Sequence, residues 1–242
     1  MLNTRKNKIV SMGKAQVDII SSVLIMIISL SLIASAYAWG MYLIEKRKSS
    51  TIVERVAKYF DRSNVNSIAS RIEDVAVSGA EVTFTLDVDG IWTLNPCSDK
   101  ATSSNCIGNN ADNNTITFSL SAKSSDVKEG GGWIPNTCGS GVGLLGKDTP
   151  SVVCKRADSS SGYYNITYKL WIRELDDSIA NPTTGIKYLL VPAQIERCKP
   201  ATNPTYCTST GRSVKFFKGN MMEQRTADGK NLITTEIKVL FV

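Results

Sequence analysis

Hydrophobic and polar positions divide this chain into stretches of different period. Residues 19–44 hold no charge, and a helix of those 26 residues rises about 39 Å, more than the ~30 Å hydrocarbon core of a bilayer. Residues 45–48 are all charged. Beyond them Ile52, Val53, Val56, Tyr59 and Phe60 recur at threes and fours between Glu54, Arg55, Lys58 and Asp61, the pattern of an amphipathic helix. One helix over 16–60 is expected, apolar all round at first and one-sided afterwards.

From about Ile72 the period shifts toward two. Val82, Phe84, Leu86 and Val88 alternate with Thr83, Thr85 and Asp87, and Asp89-Gly90 offers a hairpin turn before Ile91, Trp92 and Leu94. Further strand-like runs are 115–120, 163–172, 186–195, 214–217 and 232–242, and no second helical stretch competes with them. The expected class is α+β: a long N-terminal hydrophobic helix followed by an antiparallel β-sandwich-like or barrel-like domain over 72–242. The Asn- and Gly-rich stretches 98–114 and 124–146 read as surface insertions.

The residues ahead of the apolar stretch carry a second signal. Residues 1–15 hold Arg5, Lys6, Lys8 and Lys14 and no acid. In a secretory signal the cleavage site follows the apolar core; here a processing site, Lys14-Ala15-Gln16-Val17, precedes it, so cutting would remove only the leader and leave the helix. Charged residue, Gly or Ala, cut, Gln, then a small or aliphatic residue is the order at archaeal prepilin peptidase sites. On these residues, and over roughly 10–60, the chain resembles archaeal type IV pilin-like and archaellin-like subunits with a class III signal peptide. It departs from the pattern in having Ala15 where Gly is commoner, and Asp18 at mature position three where bacterial pilins carry a Glu at position five.

The resemblance implies a leader over 1–15 removed by prepilin peptidase, a transmembrane and filament-core helix over 16–60, and an extracellular domain over 72–242. It implies assembly into a homo-oligomeric helical filament by dedicated machinery, from a precursor held in the cytoplasmic membrane with its N-terminus inside. Ser31 and Ser35 stand four apart, as do Ala34 and Ala38, and small residues let helices approach closely in lipid. Asp18 is costly in an apolar bundle unless paired, and cleavage would supply a partner in the α-amino group of Gln16.

Charge reinforces the leader's separateness. The chain has 28 bases and 22 acids, net +6; with the four leader bases set apart, 24 bases face 22 acids. The remaining part is therefore close to neutral, which argues against a nucleic-acid partner. All six cysteines, Cys97, Cys106, Cys138, Cys154, Cys198 and Cys207, lie beyond the helix. An even count in an exported domain reads as three disulfides among 15 connectivities. Nearest-neighbour pairing is favoured, since each bridge would close a short loop and stabilise by about 2–4 kcal/mol. Asn113-Asn114-Thr115 and Asn165-Ile166-Thr167 are acceptor sequons for glycosylation; Asn113 lies in a polar run and Asn165 at the start of a strand, which favours Asn113.

Other motifs fail on their surroundings. Gly141-Val142-Gly143-Leu144-Leu145-Gly146 has the spacing of a dinucleotide fingerprint, but Asp148 stands where a phosphate loop needs Ser or Thr, and Pro150 bars the helix that must follow. Asp87, Asp89 and Gly90 lack the other ligands of a calcium loop. Glu174, Asp176 and Asp177 read as a solvated strand end. The chain has no histidine, no nucleophile elbow and no framed acid pair, so neither catalysis, a metal nor a cofactor is expected. The alternative to a filament subunit is a monotopic cell-surface protein whose β-domain binds a ligand or partner while the helix stays in the membrane.

Overall fold

The computed structural model describes residues 4–96, 113–123, 130, 132–134, 151–160, 162–172, 175–176, 184–194, 198–199, 206–225, 229 and 231–242; for 4–18, 151–152, 160, 175–176 and 198–199 it describes the backbone alone. The chain divides into two compact units, Met1–Lys48 and Ser49–Val242. Helix α1 is Thr4–Phe60. It begins twelve residues ahead of Gln16, in a basic stretch with no proline and several good helix formers.

A second helix, α2 (Ile68–Ser78), lies where none was expected. Its signals are local. Ser67 caps the start, its Oγ accepting from the Ser70 N–H at 3.2 Å, and Gly79 ends it at φ +73°, a left-handed conformation that favours glycine. Ile68, Ala69, Ile72, Val75 and Ala76 form its buried face. The intervening turn is closed by Asp61, whose carboxylate accepts from the Ser63 N–H and hydroxyl at 3.0 and 2.8 Å.

The strands are β1 (Val82–Asn95), β2 (Thr115–Ala122), β3 (Ser151–Ser160), β4 (Tyr163–Ile172), β5 (Leu175–Asp176), β6 (Thr184–Pro192), β7 (Cys198–Lys199), β8 (Tyr206–Arg225) and β9 (Asn231–Phe241). They form one sheet in the order β3-β4-β2-β1-β8-β9-β6-β5, with β7 on β8. The α+β class holds. The domain is a mixed sheet rather than a wholly antiparallel one, because β6 runs parallel to β9, the crossover being made through β7 and β8.

Three sequence expectations change. Asp89-Gly90 makes no hairpin: β1 runs straight through it, and Phe84, Leu86, Gly90, Trp92 and Leu94 all face inward in one parity. A β-bulge, marked by the register shift against β8 between Thr85 and Gly90, takes the place of the turn. Gly90 is there for space, since a Cβ would lie 2.2 Å from the Phe118 ring. β3 was not anticipated, and β8 extends far beyond 214–217.

The sheet curls. Between β4 and β6 lie five strand steps, about 24 Å in a flat sheet. Yet the Asn114 side-chain amide donates to the Ile172 carbonyl of β4 at 3.0 Å and the Tyr188 carbonyl of β6 at 2.8 Å. Its Oδ1 accepts from the Leu190 N–H at 2.8 Å. Asn114 holds φ +57° to do so, a conformation asparagine tolerates better than most residues. The inner face of the sheet packs on α2 and on the end of α1, where Val53, Val56 and Phe60 are buried. Phe60 stacks on Tyr168 at 5.1 Å and on Trp92 at 6.4 Å, and Trp92 meets Phe118 at 4.7 Å.

Candidate functional site

The candidate site is the surface of α1. Every large apolar side chain over 19–39 is more than half exposed, and this one helix is long and apolar enough to cross a membrane. In water such a surface is unfavourable at roughly 25 cal/mol per Å², so it needs lipid or protein around it. Ser31, Ala34, Ser35 and Ala38 are exposed on this helix. Spacings of three, four and seven put them on one stripe of the helix. Tyr37, Trp39 and Tyr42 are exposed within five residues of one another, as aromatic residues cluster at membrane–water boundaries. Lys14, Ala15, Gln16, Val17 and Asp18 lie on the helical backbone, and their side chains are outside the described residues.

From Ser49 the helix changes role. Its buried stripe joins the head's core, and the Tyr168 hydroxyl donates to the Val53 carbonyl at 3.1 Å. Arg55 pairs with Asp87 of β1 on the exposed side. An amphipathic stretch is expected to bury one face; here that face is the first layer of the head.

Cys154 and Cys207 are buried, and each is held in a disulfide. The register of β7 on β8 sets Cys198 opposite Cys207. Cys97, Cys106 and Cys138 lie outside the described residues, as do Gly141–Gly146 in full, Lys147, Asp148, Pro150, Glu174 and Asp177, while Asp176 is described by its backbone only. Cys154 sits beneath an outer-face cluster: Trp133 packs on Cys154 and Trp171, with the Arg156 guanidinium at 4.9 Å and the Lys169 ammonium at 5.0 Å from its ring centre. Cation–π contact of this kind lets Lys169 be buried. The strand pattern of 151–160 was the available signal for this cluster.

The two sequons differ. Asn165 is exposed on β4, whereas Asn113 is half-buried, Asn114 buried and Thr115 fully buried. Asn165 borders an open groove of about 450 Å³ on the outer face of the sheet, shared with Asp89, Ile91, Ser119, Ser121 and Thr210. Asp89 is fixed there by Arg212, which donates through Nε at 2.8 Å and Nη2 at 2.7 Å. That charge-assisted pair holds the Asp89 carboxyl below its ordinary range. Among the described residues no three metal-ligating side chains stand together.

No protein-family model, curated protein or solved structure matches the chain.

Proposed function

We propose that this chain is the structural subunit of an archaeal type IV pilus-like filament, held in the membrane as a precursor, cut after Ala15 and assembled through α1. The observation that carries the proposal is the change of character along one helix: uncharged over 19–44 and exposed all round over 19–39, then one-sided from Ser49, where it joins the core of a β-rich head. An anchor alone has no need of a helix that is also part of the head's core. A filament subunit does, because load on the head must pass to the helix bundle.

In this reading the basic leader stays in the cytoplasm, and cleavage creates an α-amino group at Gln16 that pairs with Asp18 of its own or a neighbouring chain. Ser31, Ala34, Ser35 and Ala38 let neighbouring helices close to short distance where lipid gives no hydrophobic reward. The head lies outside, with Cys97–Cys106, Cys138–Cys154 and Cys198–Cys207 as its disulfides. Cys198 facing Cys207 across paired strands supports the last of these, since facing positions bring Cβ atoms within bonding range.

The test is negative-stain microscopy of material sheared from the surface of cells making the chain, with mass spectrometry of its N-terminal peptide. Filaments whose subunit begins at Gln16 are expected. A peptide running unbroken from Met12 through Asp18 in exported protein would remove the processing step. Gln16-processed protein that stays monomeric in the membrane would favour the monotopic surface protein.

A further inference from the structure

We infer that Asn165, not Asn113, carries a sugar chain, and that the groove beside it on the outer face of the sheet is the bed for the first sugar rings. The inference rests on the reading that the head is exported, and it deepens that reading by naming a modification and its seat.

The two sequons are separated by their surroundings. Around Asn113 the acceptor is closed in the folded head: Asn114 is locked at φ +57° by three side-chain hydrogen bonds, and the Thr115 hydroxyl is fully buried. Asn165 and Thr167 sit two apart in β4, so both side chains point to the outer face. Asn165 is exposed there, opposite Ser121 of β2 and Asp158 of β3.

The groove has the chemistry of a saccharide seat. Its volume of about 450 Å³ is within the range of small-molecule sites. Ile91 is half exposed and gives an apolar platform for the C–H face of a ring. Asp89 accepts two hydrogen bonds from Arg212 yet keeps lone pairs for ligand hydroxyls. Ser121 and Thr210 add hydroxyls that both donate and accept, while Ser119 is already bonded to Thr167 at 2.9 Å. A fixed carboxylate disfavours a phosphate there and suits a neutral, hydroxylated ligand. The groove lies beside the β1 bulge, a place where strands are bent to form sites.

Attachment is a group transfer from a lipid-phosphate-linked sugar. The bond between sugar C1 and phosphate oxygen breaks, the phosphate leaves with the electron pair, C1 bonds to Asn165 Nδ2, and that nitrogen gives up a proton.

The test uses full-length protein purified from its native cells. Trypsin releases residues 157–169, containing Asn165, separately from residues 101–123, containing Asn113. Mass spectrometry is expected to find a sugar mass on the first peptide and none on the second. Recovery of 157–169 wholly unmodified overturns the proposal, and surface biotinylation of intact cells decides independently whether the export reading fails with it. The bed is tested by crossing Ile91→Ser with Asn165→Gln. With the sugar attached, Ile91→Ser should lower Tm by ~2–4 °C more than it does in the Asn165→Gln background. Equal shifts in the two backgrounds overturn the bed.

Discussion

The Tyr168 hydroxyl, on the inner face of β4, donates to the main-chain carbonyl of Val53 in α1 at 3.1 Å. The same ring stacks on Phe60 about two turns further along the helix, at 5.1 Å. One strand residue thus fixes the rotation of the helix end by a directional bond and its depth by ring contact.

Tyr168→Phe separates those two contributions. The stack survives and the hydroxyl bond is lost, so unfolding free energy should fall by about 0.5–1.5 kcal/mol. Tyr168→Ala removes both and should cost about 3–5 kcal/mol. Urea titration checks this: the midpoint should drop for Phe with no change in slope, and an unchanged midpoint would remove the bond from the account.

Gly90 is predicted to be a space-filling limit rather than a turn residue. In Gly90→Ala the new methyl meets the Phe118 ring at 2.2 Å and the Ser119 carbonyl oxygen at 2.7 Å, and overpacking of this kind costs about 1–3 kcal/mol. Pairing it with Phe118→Leu should recover part of the loss, because one of the two obstacles is a removable ring. Additive losses in the double variant would show that the backbone contact dominates.

Asn114 joins β4 to β6 and should be the most sensitive polar residue of the head. Asn114→Gly loses the amide bonds but keeps freedom at positive φ, while Asn114→Ala loses the bonds and adds backbone strain. Thermal melts should rank wild type above Gly and Gly above Ala, with Ala down by about 2–4 kcal/mol. Ala as stable as wild type would mean that the β4–β6 closure is held by packing alone.

Much of this architecture was readable in the chain. The uncharged run, the amphipathic sequel and the alternation at Phe84, Leu86, Trp92 and Leu94 each follow from one period and were placed from it. What failed was local evidence with two meanings. Asp-Gly is a strong hairpin signal, yet the inward parity of Val88, Gly90 and Trp92 is continuous, and Gly90 answers to Phe118, a residue distant in sequence. Ser67 and Gly79 bracket α2 with ordinary caps, but its apolar face is short and merges with the strand that follows. Asn114 was visible only as the middle of a sequon, since its partners at Ile172, Tyr188 and Leu190 are brought to it by the fold.

Glu73 of α2 makes the head's stability depend on pH in a definite sense. Its carboxylate lies 3.7 Å from the Arg62 guanidinium, too far for a hydrogen bond, and its Oε1 has no hydrogen-bond partner. Burial raises its pKa above the ordinary 4.5, with Arg62 opposing and Asp74 adding to the rise. A carboxyl raised in the folded state takes up its proton there first. The cost of holding Glu73 charged is therefore full at neutral pH, shrinks as pH falls through the raised folded value, and is gone below about 4.5. Glu73→Gln removes the charge at every pH. The variant should melt above wild type at pH 7, with the gap closing as pH drops toward 4.5. Asp61 and Asp89, both lowered by hydrogen bonds, lose stability on acidification in both proteins and cancel from the difference. A gap that stays constant from pH 7 to 4.5 would show that the effect of the substitution is packing and not the buried charge.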